Sequence, residues 1–71
     1  MSYDFLILGS SGIQGKIVSR MLLKKKYNLF LADLYPNESK ALLKEYPLSK
    51  ARYLDIRNKK DVISLLRKIR P

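Results

Sequence analysis

The sequence predicts an α/β fold in which three parallel strands alternate with three helices. Two observations predict it. Three short runs, at residues 4–9, 28–33 and 51–56, have the length and composition of strands, and each is followed by a segment with helical periodicity. Strands that alternate with helices pair in parallel through right-handed crossovers. We therefore expect the strand order 3-2-1, with the first two helices on one face of the sheet and the third on the other.

The first strand and the first helix are predicted by a change of period. Phe5 to Leu8 is continuously apolar and ends at a glycine, which is typical of a strand buried on both faces. From Ile13 onwards apolar residues recur at helical spacing, with basic residues at the end of the segment. The predicted buried stripe of this helix is Ile13, Ile17, Val18, Met21 and Leu22. The residues expected to face solvent are Lys16, Ser19, Arg20 and Lys24.

The later elements follow the same pattern. After the second strand, Pro36 and Asn37 interrupt the chain, and a short helix with the apolar stripe Leu42, Leu43 and Tyr46 ends at Pro47. Ala51 to Ile56 is less apolar, so we expect a strand near the edge of the sheet. Asn58 is expected to cap the third helix, with Asp61 in its first turn. The predicted buried stripe of that helix is Val62, Leu65, Leu66 and Ile69.

Length and composition limit the possible functions. The 71 residues allow one small domain, and an apolar fraction of 46% is that of a globular chain. Cysteine and histidine are absent, which excludes disulfides, a thiolate zinc site and the commonest general base. No run is long enough to span a membrane and no secretory signal is visible, so we expect a cytoplasmic protein. The net charge of +9 is compatible with nucleic acid, an anionic membrane surface or a phosphorylated small molecule as partner.

All three glycines of the chain lie in the turn between the first strand and the first helix, in the sequence Gly9-Ser10-Ser11-Gly12-Ile13-Gln14-Gly15. In a dinucleotide site, Gly9 allows the tight turn, Gly12 lets a pyrophosphate approach the backbone, and Gly15 lets the helix pack against the strand. Free N–H groups at about Gly12 to Gln14 would face the phosphates, and the hydroxyls of Ser10 and Ser11 can add donors. The alternative is a glycine-rich turn that serves packing alone.

Acidic residues end the second and third strands. Asp33 lies eighteen residues after Gly15, where a carboxylate can accept both ribose hydroxyls of an adenosine and repel a 2′-phosphate. The next residue, Leu34, belongs to the same candidate site. The residues directly after Asp33 include no arginine that could bind a 2′-phosphate. Asp55 and Ile56 are candidates for contacts with the adenine. The alternatives are that Asp33 is a solvated cap of the following turn and that Asp55 pairs with a neighbouring cation.

These residues resemble a known group. The glycine turn, Asp33, Tyr53-Leu-Asp55-Ile56 and the helix that starts near Asp61 are similar to the N-terminal NAD(P)-binding Rossmann part of saccharopine dehydrogenase-like oxidoreductases; extended short-chain dehydrogenases share much of the pattern. The resemblance implies an NAD(P) cofactor, NAD in preference to NADP because the Asp33 carboxylate would repel a 2′-phosphate. It implies contacts of the pyrophosphate with Gly9, Gly12, Ile13, Gln14 and Gly15, of the ribose with Asp33, and of the adenine with Asp55 and Ile56. The spacing departs from Gly-x-Gly-x-x-Gly, because Ser11 stands at the middle glycine.

The resemblance covers only the cofactor half of such enzymes. We expect residues 1–71 to be part of a dinucleotide-binding domain that ends before a fourth strand, with no catalytic residues and no metal site of its own. The outer edge of strand one would then have no paired strand within the chain, and we expect the remainder of the enzyme or a second copy of the chain to cover it. Two alternatives stay open: a basic nucleic-acid-binding module, and a Rossmann segment that binds S-adenosylmethionine.

Overall fold

A computed structural model describes residues 3–10 and 12–69, in which strands and helices alternate as predicted. The strands are β1 (Phe5–Leu8), β2 (Leu29–Asp33) and β3 (Lys50–Tyr53). The helices are α1 (Ile13–Lys24), α2 (Pro36–Leu42) with a 3-10 turn at Leu43–Glu45, and α3 (Lys59–Ile69). Pro36, predicted only to interrupt the chain, is the first residue of α2, a position where the missing N–H of proline costs nothing.

The three strands form one parallel sheet in the order β1-β2-β3. Phe5 is paired with Leu29 on one side of β2, and Phe30 with Lys50 on the other. Every residue of β2 is buried, because it alone has a strand on both sides and helices above and below. The predicted α/β class and strand order are confirmed.

The side chains of β2 alternate between two apolar clusters, one on each face of the sheet. Phe30 and Ala32 pack with Leu65 and Ile69 of α3. Leu29 and Leu31 pack on the opposite face, in a cluster completed by Leu23 of α1 and Leu43 at the end of α2. The helices are therefore distributed as predicted, and the basic residues of α1 and α3 lie on opposite sides of the molecule.

The two outer strands differ from the predictions in burial and length. The expectation that β1 is buried on both faces holds only for its middle: Leu6 and Ile7 are partly buried against the clusters on opposite faces, whereas Phe5 and Leu8 are exposed. Within the described residues β1 is paired only with β2. β3 is an edge strand, as predicted, but it ends at Tyr53. The amide of Leu54 still donates to the carbonyl of Asp33 (2.9 Å), and the chain then turns away from the sheet.

The orientation of α1 differs from the predicted one at most of the named positions, although Leu22 is partly buried against the core and Arg20 and Lys24 face solvent as predicted. Ile13 is 81% exposed and Ile17 is 61% exposed, and Val18 and Met21 are exposed as well, whereas Ser19 is completely buried. The hydroxyl of Ser19, expected to face solvent, donates to the carbonyl of Gly15 at 2.6 Å, so it is buried without an unsatisfied donor. The apolar periodicity of α1 therefore marks an open surface instead of the face that meets the sheet.

The start of α3 and most of its buried face agree with the sequence. Asn58 caps the helix, since its side-chain oxygen accepts from the amide of Asp61 at 3.2 Å. Val62, Leu65 and Ile69 pack on the sheet, but Leu66 is exposed and its predicted burial is wrong. Within residues 3–10 and 12–69, no helix has the length and apolar character needed to cross a membrane.

Candidate functional site

The glycine turn connects the end of β1 to the start of α1. Gly9 has a φ of +73°, a conformation that residues with a Cβ rarely adopt. Its amide donates to the carbonyl of Ala32 at 2.8 Å, which fixes the turn beside the end of β2, next to Asp33. The amide of Gly12 donates to the carbonyl of Gly9 at 3.1 Å and closes the turn. The expectation that the Gly12 amide is free is therefore wrong.

The amides that follow Gly12 open the helix. Gly12 is the N-cap residue, with an extended backbone and no side-chain cap, and the amide of Lys16 donates to its carbonyl at 2.9 Å. The amides of Ile13 and Gln14 lie in the first turn, where a helix offers no backbone acceptor of its own. Both residues are exposed. The start of α1 therefore presents donors, with the positive end of the helix dipole, to solvent.

Packing requires a glycine at position 15. A Cβ added to Gly15 would overlap the carbonyl oxygen of Gly9 and would lie 2.9 Å from the Cα of Ser10. Both are backbone atoms, which cannot move aside as a flexible side chain does. The close approach that the sequence predicts for Gly15 is therefore observed, but it is made to the turn that follows β1 and not to the strand.

Packing does not require a glycine at position 12. Its φ is −67°, which any residue adopts, and an added Cβ would have one neighbour within 4 Å, the carbonyl oxygen of Gly9, at 3.4 Å. Serine, asparagine or aspartate at an N-cap would stabilise a helix better than glycine does. Among the described residues, then, helix stability and packing leave the glycine at this position unexplained.

Of the two serines of the turn, the structure describes one. The Oγ atoms of Ser10 and Ser39 are 2.6 Å apart and both residues are buried, so this contact joins the turn to α2. The Ser10 hydroxyl therefore points to the protein interior, and a direct bond to a phosphate remains a prediction. Ser11, the other candidate donor, lies outside the described residues.

Asp33 is the last residue of β2, at the same edge of the sheet as the glycine turn. It is buried, and its Oδ1 accepts from the amide of Tyr35 at 2.8 Å. It caps the following turn, as in the alternative raised by the sequence, but it is not solvated. Leu34 beside it is exposed. The bond from the backbone holds the carboxylate in place at this edge of the sheet. Its contact with a ribose remains a prediction.

Asp55 forms a surface ion pair, and neither it nor Ile56 belongs to β3. The Nε and Nη2 atoms of Arg57 donate to its two carboxylate oxygens at 3.0 and 2.9 Å, and the Arg57 amide donates to Oδ1 at 3.0 Å. The side-chain bonds from Arg57, and then the backbone bond, lower the pKa of Asp55 below its ordinary value. The pairing alternative is thus observed for Asp55. Ile56 is exposed, and the adenine contact remains a prediction for both residues.

Two contacts near the turn were not expected from the sequence. Lys16 of α1, expected to face solvent, forms an ion pair with Glu38 of α2 at 2.6 Å, and Ser39 provides the buried partner of Ser10. An exposed pair of this kind contributes at most about 1 kcal/mol. Lysine and serine in polar stretches carry no sequence signal for a specific partner. In residues 3–10 and 12–69, no cluster of three acidic side chains could hold a metal ion.

The start of α1 presents donors of the kind that bind anions, beside a buried carboxylate. The chain matches no known family model, no curated protein and no solved structure.

Proposed function

We propose that this chain is the dinucleotide-binding segment of an NAD(P)-dependent oxidoreductase of the saccharopine dehydrogenase-like kind. The observation that supports it best is that neither the backbone angles nor the contacts at position 12 explain why the residue there is a glycine. It stands where a side chain would block access to the first amides of α1. A diphosphate that lies against the backbone accounts for the missing side chain.

Each part of the site has one task in this proposal. The amides of Ile13 and Gln14 donate to the diphosphate, and the dipole of α1 adds to the attraction. The carboxylate of Asp33 accepts from the adenosine ribose hydroxyls. When bound, NAD supplies the hydride acceptor or donor for the reaction. The described residues position the adenosine half and contribute no proton transfer, so we expect no dehydrogenase activity from the chain alone.

Titration of the chain with NADH, followed by the fluorescence of the nicotinamide or by calorimetry, tests the proposal. We expect saturable binding that changes little between about 50 and 200 mM salt, a range over which charge-driven binding to nucleic acid weakens strongly. Displacement of NADH by S-adenosylmethionine would favour the methyltransferase-like alternative. A duplex or single-stranded oligonucleotide that binds with a steep salt dependence, in the absence of NADH binding, would favour the nucleic-acid alternative.

Replacement of Asp33 tests the preference for NAD. In the Asp33→Asn variant the side-chain oxygen still accepts from the amide of Tyr35, but the charge is lost. We expect NADH to bind about tenfold or more weakly relative to NADPH, because hydrogen bonds to a charged acceptor contribute about 1.5–3 kcal/mol. Separate titrations with the two reduced cofactors measure the ratio. Asp33→Ser, in which the side chain that caps the turn is also shorter, should change the ratio in the same direction. An unchanged ratio in both variants would show that Asp33 only caps the turn.

We further propose that a second copy of the chain covers the outer edge of β1. That edge has no paired strand among the described residues, and Phe5 and Leu8 on it are exposed. Val18 and Met21 of α1 are exposed too, and helical periodicity places Val18 on the side of α1 away from Lys16, which bonds to α2. Two such edges related by a two-fold axis would satisfy each other's backbone groups and join these apolar surfaces.

Sedimentation velocity of Val18→Lys tests this contact. We expect a dimer for the unchanged chain and a monomer for the variant, since a lysine would be buried without a partner in the interface. Ile63→Lys is the matched control, because Ile63 is also exposed (50%, against 40% for Val18) but lies on α3, on the other face of the sheet. A monomer for the unchanged chain would instead favour a further part of an enzyme as the covering layer.

A further inference from the structure

A groove with a volume of about 500 Å³ lies between α3 and β3, away from the glycine turn. Lys50 and Arg52 of β3 line it, and they are paired with Phe30 and Ala32 of β2. Paired residues in a parallel sheet project to the same face, so these two cations point to the face that α3 covers. Lys68, near the end of α3, lines the other side.

The glycine turn lies at the carboxyl ends of the strands, whereas the groove extends to their amino ends. Gly9 follows the last residue of β1, whereas Lys50 is the first residue of β3 and Tyr3, which also lines the groove, precedes β1. α3 begins after the end of β3 and runs back along the sheet, so its last residues, Lys68 and Ile69, reach the amino ends of the strands. A ligand in this groove would not occupy the proposed dinucleotide site.

The floor of the groove is apolar and its rim is cationic. Phe30, Leu65 and Ile69 are buried members of the core, and the ring of Tyr3 meets Phe30 edge-on at a centroid distance of 5.2 Å. Among the described residues that line the groove there is no carboxylate. The ion pairs formed by the described residues use Lys16 and Arg57, so Lys50, Arg52 and Lys68 have no counter-charge among them.

We propose that this groove binds a small amphiphilic anion: an aryl group or a short acyl chain that carries a carboxylate or a phosphate. The apolar part would lie against the half-buried ring of Tyr3 and the small exposed margins of Phe30 and Ile69, which removes apolar surface from water. The anionic head would lie between Arg52 and Lys68, where charge-assisted hydrogen bonds are stronger than neutral ones. The volume is within the range of small-molecule sites.

The test uses the full chain labelled with ¹⁵N and two probes, octanoate and phenyl phosphate, in NMR titrations at about 0.15 M salt, where charges interact over roughly 8 Å. We expect saturable shifts that cluster at the amides of Phe30, Ala51, Leu65 and Ile69. Octylammonium, which has the opposite charge on the octanoate chain, should produce no such cluster. Absence of saturable shifts with both anions, or an equal response to octylammonium, would overturn the proposal.

A pair of matched double variants separates the groove from the overall charge. Arg52→Gln with Lys68→Gln should weaken octanoate binding about tenfold or more, since two bonds to the charged head are lost. Lys24→Gln with Lys25→Gln removes the same charge at the end of α1 and should change the affinity less than about twofold. Neither residue lines the groove, and α1 packs on the opposite face of the sheet from α3. All four side chains are exposed, so neither variant should unfold the chain. Equal losses in the two variants would show that binding follows net charge alone.

Addition of NADH separates this inference from the proposed function. We expect saturating NADH to leave octanoate affinity unchanged and to shift a different set of amides, around Gly12 to Gly15. Competition between the two ligands would exclude a second site. If NADH does not bind at all, the proposed function fails, whereas the result of the octanoate titration still decides whether the groove is a site.

Discussion

Replacement of Gly15 by alanine is expected to destabilise the domain severely. The added Cβ would overlap the backbone carbonyl of Gly9 and crowd the Cα of Ser10, so α1 must move away from β1. Alanine improves the intrinsic stability of a helix by up to about 1 kcal/mol relative to glycine, but overpacking against backbone costs about 3 kcal/mol or more. The steric term is larger. The net loss of about 2 kcal/mol corresponds, for a domain of this length, to a decrease in Tm of roughly 8–16 °C.

Thermal unfolding followed by circular dichroism measures this effect. Gly12→Ala is the matched control, because a Cβ at position 12 would be in ordinary contact with the Gly9 oxygen at 3.4 Å. We expect that variant to lose about 1 kcal/mol or less, the usual difference between glycine and alanine at an N-cap. Similar midpoints for the two variants would contradict the close contact between α1 and the turn.

Replacement of Gly12 by valine should abolish NADH binding and preserve the fold. The extended backbone of Gly12 (φ −67°, ψ 163°) suits a β-branched residue, and its position is exposed. The two methyl groups would, however, occupy the space in front of the first amides of α1, where the diphosphate is proposed to bind. We expect affinity to fall more than about a hundredfold, since both the approach and the charge-assisted bonds are lost.

Ser64→Val provides the control for this experiment, since it places the same side chain on an exposed position of α3. The circular dichroism spectra of both variants should resemble that of the unchanged chain, and only Gly12→Val should lose the response to NADH. If Gly12→Val binds NADH as well as the control does, the glycine turn serves packing alone and the cofactor proposal must be abandoned.

Local patterns were sufficient for several features. The alternation of short apolar runs with helical periodicity predicts the order of the elements, and the right-handed crossover rule then leads to the observed sheet. Asn58 was predictable as a cap because a cap depends on residues within one turn. The position of the glycine turn between β1 and α1 was predictable for the same reason.

Contacts between distant residues were not predictable in this way. The bond between Ser10 and Ser39 joins residues from two different elements, and nothing in either segment marks them as partners. The Gly12 amide was expected to be free, but the tight turn at Gly9 brings a carbonyl within reach of it. By contrast, the pair of Asp55 with Arg57 joins residues two positions apart, and the sequence did raise it as an alternative.

The sequence by itself determined the fold class, the strand order and the place of the candidate site, because these follow from short-range periodicity and from rules of chain connection. Only the tertiary structure decided which face of α1 meets the sheet. Gly15 is the one position of that helix that can lie against the backbone of the turn, and Ser19 and Leu23 follow it on the same face at four-residue spacing. This steric requirement outweighs burial of the apolar stripe, and so Ile13 and Ile17 remain on the surface.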